Sequence, residues 1–229
     1  MSSGYPYQPD EFGLEFEDVW LEAGDGVKLH AWMMWPARWA AEQRRRRPVV
    51  VFFQENAGNM AYRLHFLKPL TRVLDCSAFI LSYRGYGASG GRPSEAGLQA
   101  DAAAALAHVL SRPDVDPRRV VVFGRSLGGA VAIHAAAARA AAGAPLPALV
   151  IENTFTRLAD VVPKVMPLLG RLIGPGRRFN WLLRNRWDNE REIRGLTRVP
   201  ILFLSSLQVR GAGWEGRGTL CPFRFVLAK

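Results

Sequence analysis

Residues 120–133, "VVVFGRSLGGAVAI", restrict the fold of this chain more than any other stretch. Three valines and a phenylalanine favour a buried strand. Directly after them, "GGAVAIHAAAARAAA" (residues 128–142) is helical by propensity. The chain therefore passes from strand to helix within about two residues, and Ser126 sits on the turn. Gly124 and Gly128 lie two positions to either side, where a turn this sharp leaves room for little more than hydrogen. The spacing G-x-S-x-G between a strand and a helix is the context in which a serine hydroxyl is presented as a nucleophile.

The rest of the chain repeats this alternation. "VVVFF" (49–53), "AFILSY" (78–83), "PALVIEN" (147–153) and "VPILFLSS" (199–206) read as strands. Helical patterns from about Met60 to Leu74 and over "LQADAAAALAHVL" (98–110) separate them. Strands alternating with helices predict βαβ units and a mostly parallel sheet in an α/β fold. "FEDVWL" (16–21) and "VKLHAWMMW" (27–35) alternate polar and apolar residues around a glycine turn, so an antiparallel pair is expected to open the sheet. Residues 14–207 read as one domain. An insertion at 155–198, carrying Trp181, Trp187 and "VMPLLGRLI", is expected to form helices over the carboxyl edge of the sheet, as a lid or as ordinary surface helices. Residues 208–229 are rich in glycine and arginine and read as an irregular tail.

A chain of 229 residues, 49% hydrophobic and 22% charged, can bury a sizeable core. The first residues do not show the layout of a signal peptide, and no run approaches the roughly 18 apolar residues of a membrane span. Two cysteines in unrelated settings argue against a disulfide framework or a zinc cluster. By its own residues the chain reads as cytoplasmic. Its net charge of +10 raises the question of a polyanionic partner. The densest basic run, Arg44–Arg47, reads as the solvated tip of a loop between strands, and no nucleic-acid-binding signature accompanies it. Specific nucleic-acid binding is not expected. Nonspecific attraction to an anionic membrane surface stays open.

The chemistry centres on Ser126. The amide of Leu127, at the amino end of the following helix, can donate to a developing oxyanion. A second donor is expected from the loop "FQENAGN" (53–59), with the amide of Asn56 as first choice and that of Glu55 as second. Arg84, Gly85, Tyr86, Gly87 and Ser89 read as shaping the pocket wall. This chemistry calls for no metal and no cofactor.

Together "FQENAGN", "LSYRGYGASGG", "VVFGRSLGGAV" and "IENTF" resemble the α/β-hydrolases of the plant Wavy Growth and fungal bud-emergence type, over about Phe16 to Leu207. The resemblance implies the α/β-hydrolase fold and a serine hydrolase acting on an acyl ester or thioester, with protein depalmitoylation as one form. It also implies an endomembrane or plasma-membrane location. In this fold the acid and histidine follow the serine on loops after late strands. The family places its aspartate after "Gly-Leu-Gln", where this chain reads Ser206-Leu207-Gln208-Val209. The histidines are His30, His65, His108 and His134, and only His134 follows Ser126, eight residues along a helix. Glu152 is an alternative acid or a structural residue of the "ENTF" turn. The chain thus reads as a truncated form in which the last strand, the last helix and the histidine are missing. It could be an incomplete enzyme or a binding protein at a membrane. "PILFLSS" is then expected to be an unpaired, apolar sheet edge prone to self-association.

Overall fold

The computed structural model describes residues 5–37, 39–165, 185–206 and 223–228. β1 (Leu14–Glu22) pairs with β2 (Lys28–Pro36) as the expected antiparallel hairpin, with Glu22 opposite Lys28, but β2 is buried at every residue after Lys28 and not at alternate ones. A short helix α1 (Ala41–Arg45) leads into β3 (Val49–Phe53). A 3-10 turn (Met60–Arg63), begun by the Asn59 side chain accepting from the amide of Ala61, runs into α2 (Leu64–Val73). There follow β4 (Ser77–Leu81), α3 (Glu95–Ser111), β5 (Val120–Arg125), α4 (Leu127–Ala141) and β6 (Ala148–Glu152). Helices α5 (Leu158–Val165) and α6 (Asn189–Arg194) precede β7 (Ile201–Ser206) and β8 (Phe223–Ala228).

The strands form one sheet in the order β1-β2-β4-β3-β5-β6-β7-β8. The run β4-β3-β5-β6-β7 is parallel, and β2, β1 and β8 join antiparallel. Every residue of β3 is buried because both sheet faces are covered. Val49, Val51 and Phe53 pack in the layer with Leu98, Ala102 and Val131 of α3 and α4, while Val50 and Phe52 pack with Leu64 and Leu67 of α2. Continuous apolarity in the sequence thus reports two covered faces, not a different periodicity.

Three expectations change. Residues 223–228 are not irregular: they form β8, with Phe203 opposite Val226, so β7 is paired on both sides. The unpaired apolar edge at "PILFLSS", and the self-association argued from it, fall with that pairing. The Arg44–Arg47 run is not a free loop tip. Arg44 and Arg45 belong to α1; Arg44 lies 4.1 Å over the Trp35 ring and 3.7 Å from the Asp114 carboxylate. Arg45 donates to the Pro113 carbonyl at 2.6 Å, and Arg47 pairs with Asp75. Lastly, Trp187 is no surface residue of a lid: it is 4% exposed and packs in the main core. Trp181 lies outside the described residues, as do Leu207, Gln208 and Val209.

Candidate active site

Strand β5 delivers Ser126 to the carboxyl edge of the sheet, and α4 leaves from it at once. Ser126 takes φ 53° and ψ −117°, a conformation that non-glycine residues rarely hold. Holding it costs about 1–3 kcal/mol, which the surroundings must offset. They do so by hydrogen bonds and close packing. The Ser126 amide donates to the Glu152 carbonyl at 2.9 Å. Its carbonyl accepts from the Gly129 amide at 3.0 Å and from the Thr154 hydroxyl at 3.2 Å. A Cβ at position 124 would run into the backbone of Gly128, one at 128 into the carbonyl of Phe53, and one at 129 into the Thr154 hydroxyl. The glycines read from the sequence are therefore demanded by contact with β3 and with the turn after β6. Gly128→Ala is expected to cost about 1–3 kcal/mol by chemical denaturation. An unchanged denaturation midpoint would show that α4 has room to shift.

Ser126 opens on a cavity of about 280 Å3. Leu127 and Asn56 border the same cavity, so two of the residues named from the sequence meet the serine there. Glu55, the second choice of donor, does not border it; its carboxylate pairs with Arg63 at 2.5 Å. The loop carrying Asn56 is held from two sides. The Tyr86 hydroxyl donates to Asn56 Oδ1 at 2.9 Å, and the Tyr83 hydroxyl donates to the Gln54 carbonyl at 3.1 Å. Leu127 begins α4, so its amide is among those with no acceptor inside the helix. Leu98, Phe155, Leu158 and Trp187 supply an apolar wall.

One part of the site escaped sequence reasoning. Glu95, the first residue of α3, accepts from the backbone amides of Arg186 and Trp187 with its carboxylate, the latter at 3.2 Å. In return the Glu95 amide donates to Asn185 Oδ1 at 3.0 Å. This reciprocal clasp borders the cavity and holds Trp187 at φ 39° as part of its wall. In the sequence, "PSEAG" reads as the end of a glycine-rich loop, with the helix expected only from Leu98, whereas α3 starts at Glu95.

The remaining candidates do not border the serine's cavity. Glu152 is 8% exposed and accepts from Arg125 Nε at 2.7 Å, while the Arg125 guanidinium stacks on Phe66 at 4.0 Å. Its carboxylate is thus engaged on the α2 side of the sheet. His134 Nδ1 lies 2.9 Å from Glu192. His30 bridges Tyr5 and Asp18, each at 2.9 Å. His65 packs edge-on against Tyr7 and Phe12, and His108, its pKa lowered by burial, lies beside Phe79. None of the four borders the Ser126 cavity. Ser89 is structural, its hydroxyl donating to the Ser82 carbonyl at 2.6 Å. Among the described residues, no three His, Cys, Asp or Glu side chains converge as metal ligands would.

A serine on a left-handed turn between β5 and a small-residue helix, in a sheet of this strand order, defines a class. The chain belongs to the alpha/beta hydrolase family, whose profile matches residues 29–227. It is 43% identical over 215 residues to the alpha/beta hydrolase domain-containing protein WAV2 of Arabidopsis thaliana, covering 91% of this chain and 66% of that protein. It is 40% identical over 197 residues to Protein bem46 of Schizosaccharomyces pombe, covering 86% and 62%. The chain thus spans somewhat less than two thirds of the length of these relatives. Among solved structures, an esterase of Pyrococcus furiosus shares the fold with a TM-score of 0.62 at 17% identity, covering 86% of this chain and 73% of that one. No helix among the described residues is long and apolar enough to cross a membrane.

Proposed function

We propose that the site is built for acyl transfer to water, with Ser126 as nucleophile and an acyl ester or thioester as substrate. The observation that carries this reading is the backbone of Ser126, held at φ 53° at the mouth of a cavity by Glu152, Gly129 and Thr154. Strain kept in place by three hydrogen bonds and three close glycine contacts has a use if the hydroxyl must stand clear of both strand and helix. In this reading the Leu127 and Asn56 amides receive the developing oxyanion, and Leu98, Phe155, Leu158 and Trp187 receive the acyl chain. Glu152 acts as a support for the elbow. Depalmitoylation of a protein thioester is the most specific form of the proposal.

A fluorophosphonate probe tests it. Prolonged incubation at alkaline pH is expected to yield a single adduct, located on Ser126 by peptide mass spectrometry and lost in Ser126→Ala. No adduct, or an equal signal from the variant, sinks the reading.

One observation favours a second reading. All four histidines of the chain lie away from the cavity, most of them engaged with other side chains. A protein that binds an acyl group without turning it over would show tight binding of a non-hydrolysable acyl ligand, undiminished in Ser126→Ala. An endomembrane or plasma-membrane location belongs to the proposal as well.

A further inference from the structure

Opposite the serine, at the amino edge of the parallel strands, three chain segments lie side by side. Val49 pairs with Ser77 on one side and Val120 on the other, so residues 45–48, 72–76 and 116–119, which enter these strands, are neighbours. They carry six arginines and two aspartates. Arg46 and Arg72 are exposed; the side chains of Arg118 and Arg119 are 89% and 54% exposed. Both contact Asp116, and Arg47 pairs with Asp75, which leaves a clear excess of positive charge. On the middle one of these sequence segments, at the end of α2, stand two bare apolar side chains, Val73 at 81% exposure and Leu74 at 53%.

A single exposed aliphatic residue needs no explanation. Two adjacent ones at a helix end, on the same sheet edge as exposed arginines, have the chemistry of a membrane interface: apolar groups enter the acyl boundary while guanidiniums meet headgroups. We infer that this edge docks on an anionic lipid bilayer through Val73, Leu74, Arg46, Arg72, Arg118 and Arg119. Six residues of β5 separate it from Ser126, about 20 Å. The serine cavity therefore faces away from the lipid and takes its substrate from the aqueous side. This inference assumes nothing about Ser126 chemistry.

Co-sedimentation with vesicles tests it. Binding is expected to mixed phosphatidylserine and phosphatidylcholine vesicles and not to phosphatidylcholine alone, and to weaken as salt rises. The triple variant R46Q/R118Q/R119Q should bind on the order of 100-fold more weakly, at roughly fivefold per charge. V73S/L74S should lose at least about tenfold through lost apolar insertion. All five positions are solvent-facing, so melting temperatures should hold. R157Q, at the opposite edge, should bind normally. Hydrogen exchange on vesicles should slow at 72–76 and leave 126–129 unchanged. Equal binding to neutral vesicles, indifference to V73S/L74S, or slowing around 155–161 and 185–187 instead would overturn the inference. Arginine-dependent binding to heparin that ignores V73S/L74S would point to a polyanion and overturn it too.

Discussion

The purified chain is expected to turn over short acyl esters on the order of 10⁶-fold more slowly than a complete serine hydrolase, the loss seen when the base of a protease triad is removed. The argument is geometric. A serine hydroxyl attacks only if a neighbour accepts its proton at hydrogen-bond reach, about 2.6–3.2 Å. The chain has four histidines, and each is placed: His30 between Tyr5 and Asp18, His65 against Tyr7 and Phe12, His108 beside Phe79, His134 on Glu192. Among the described residues, the carboxylate that borders the cavity is that of Glu95, and it is engaged with backbone amides. What remains is the elbow, together with the Leu127 and Asn56 amides proposed as oxyanion donors and the cavity that would bind the substrate. Steady-state kinetics on p-nitrophenyl esters decide the matter. A turnover in the common range of roughly 1–10³ per second, abolished by Ser126→Ala, would mean that another group serves as base.

Arg84→Met is expected to be the most damaging surface-to-core change outside the elbow, costing about 3–5 kcal/mol at neutral pH. Arg84 is buried after β4 and donates from Nε to Asp101 at 2.8 Å and from both terminal nitrogens to Asp25 at 2.6 and 2.9 Å. Asp101 is fully buried, and burial pushes its pKa up against the opposing pull of Arg84. Removing the guanidinium leaves that carboxylate without its counter-charge. Its folded pKa then rises further above the unfolded value. The unfolded state binds fewer protons in that window, so the penalty grows as pH rises through it and shrinks below the ordinary aspartate range. Urea titrations across acidic and neutral pH measure this directly. A penalty independent of pH would show that lost packing of the Arg84 stem, not the stranded carboxylate, dominates. Pairing the change with Asp101→Leu should recover part of the loss, since an apolar pair can replace a buried ionic one.

The residues alone determined the framework of this protein. Five valine- or isoleucine-rich runs announced the parallel strands because β-branched side chains buried on both faces leave no polar alternation. "GRSLGG" announced the elbow because steric room around a sharp turn is a local quantity, settled within a few residues. Leu127 is adjacent to the serine in the chain, whereas Asn56 comes from the loop after β3, and the sheet brings both to the cavity that Ser126 opens on. What only the tertiary structure decided are pairings between segments distant in sequence. Glu95 and Trp187 are 92 residues apart, and their contact turned a tryptophan that reads as a lid surface into cavity wall. Arg125 claimed Glu152, and Glu192 claimed His134, because the sheet and helices brought each pair into reach. The fate of residues 223–228 belongs to this second kind as well. A short strand is stabilised by hydrogen bonds to its neighbour more than by its own composition, so the glycine- and arginine-rich stretch before it disguised a segment that β7 could accept. Charge followed the same rule: Arg44, Arg45 and Arg47 look free along the chain and are engaged in space, while the apolar Val73 and Leu74 stand in solvent. Periodicity and sterics act over a few residues and can be read there; burial and charge pairing depend on which distant segments become neighbours.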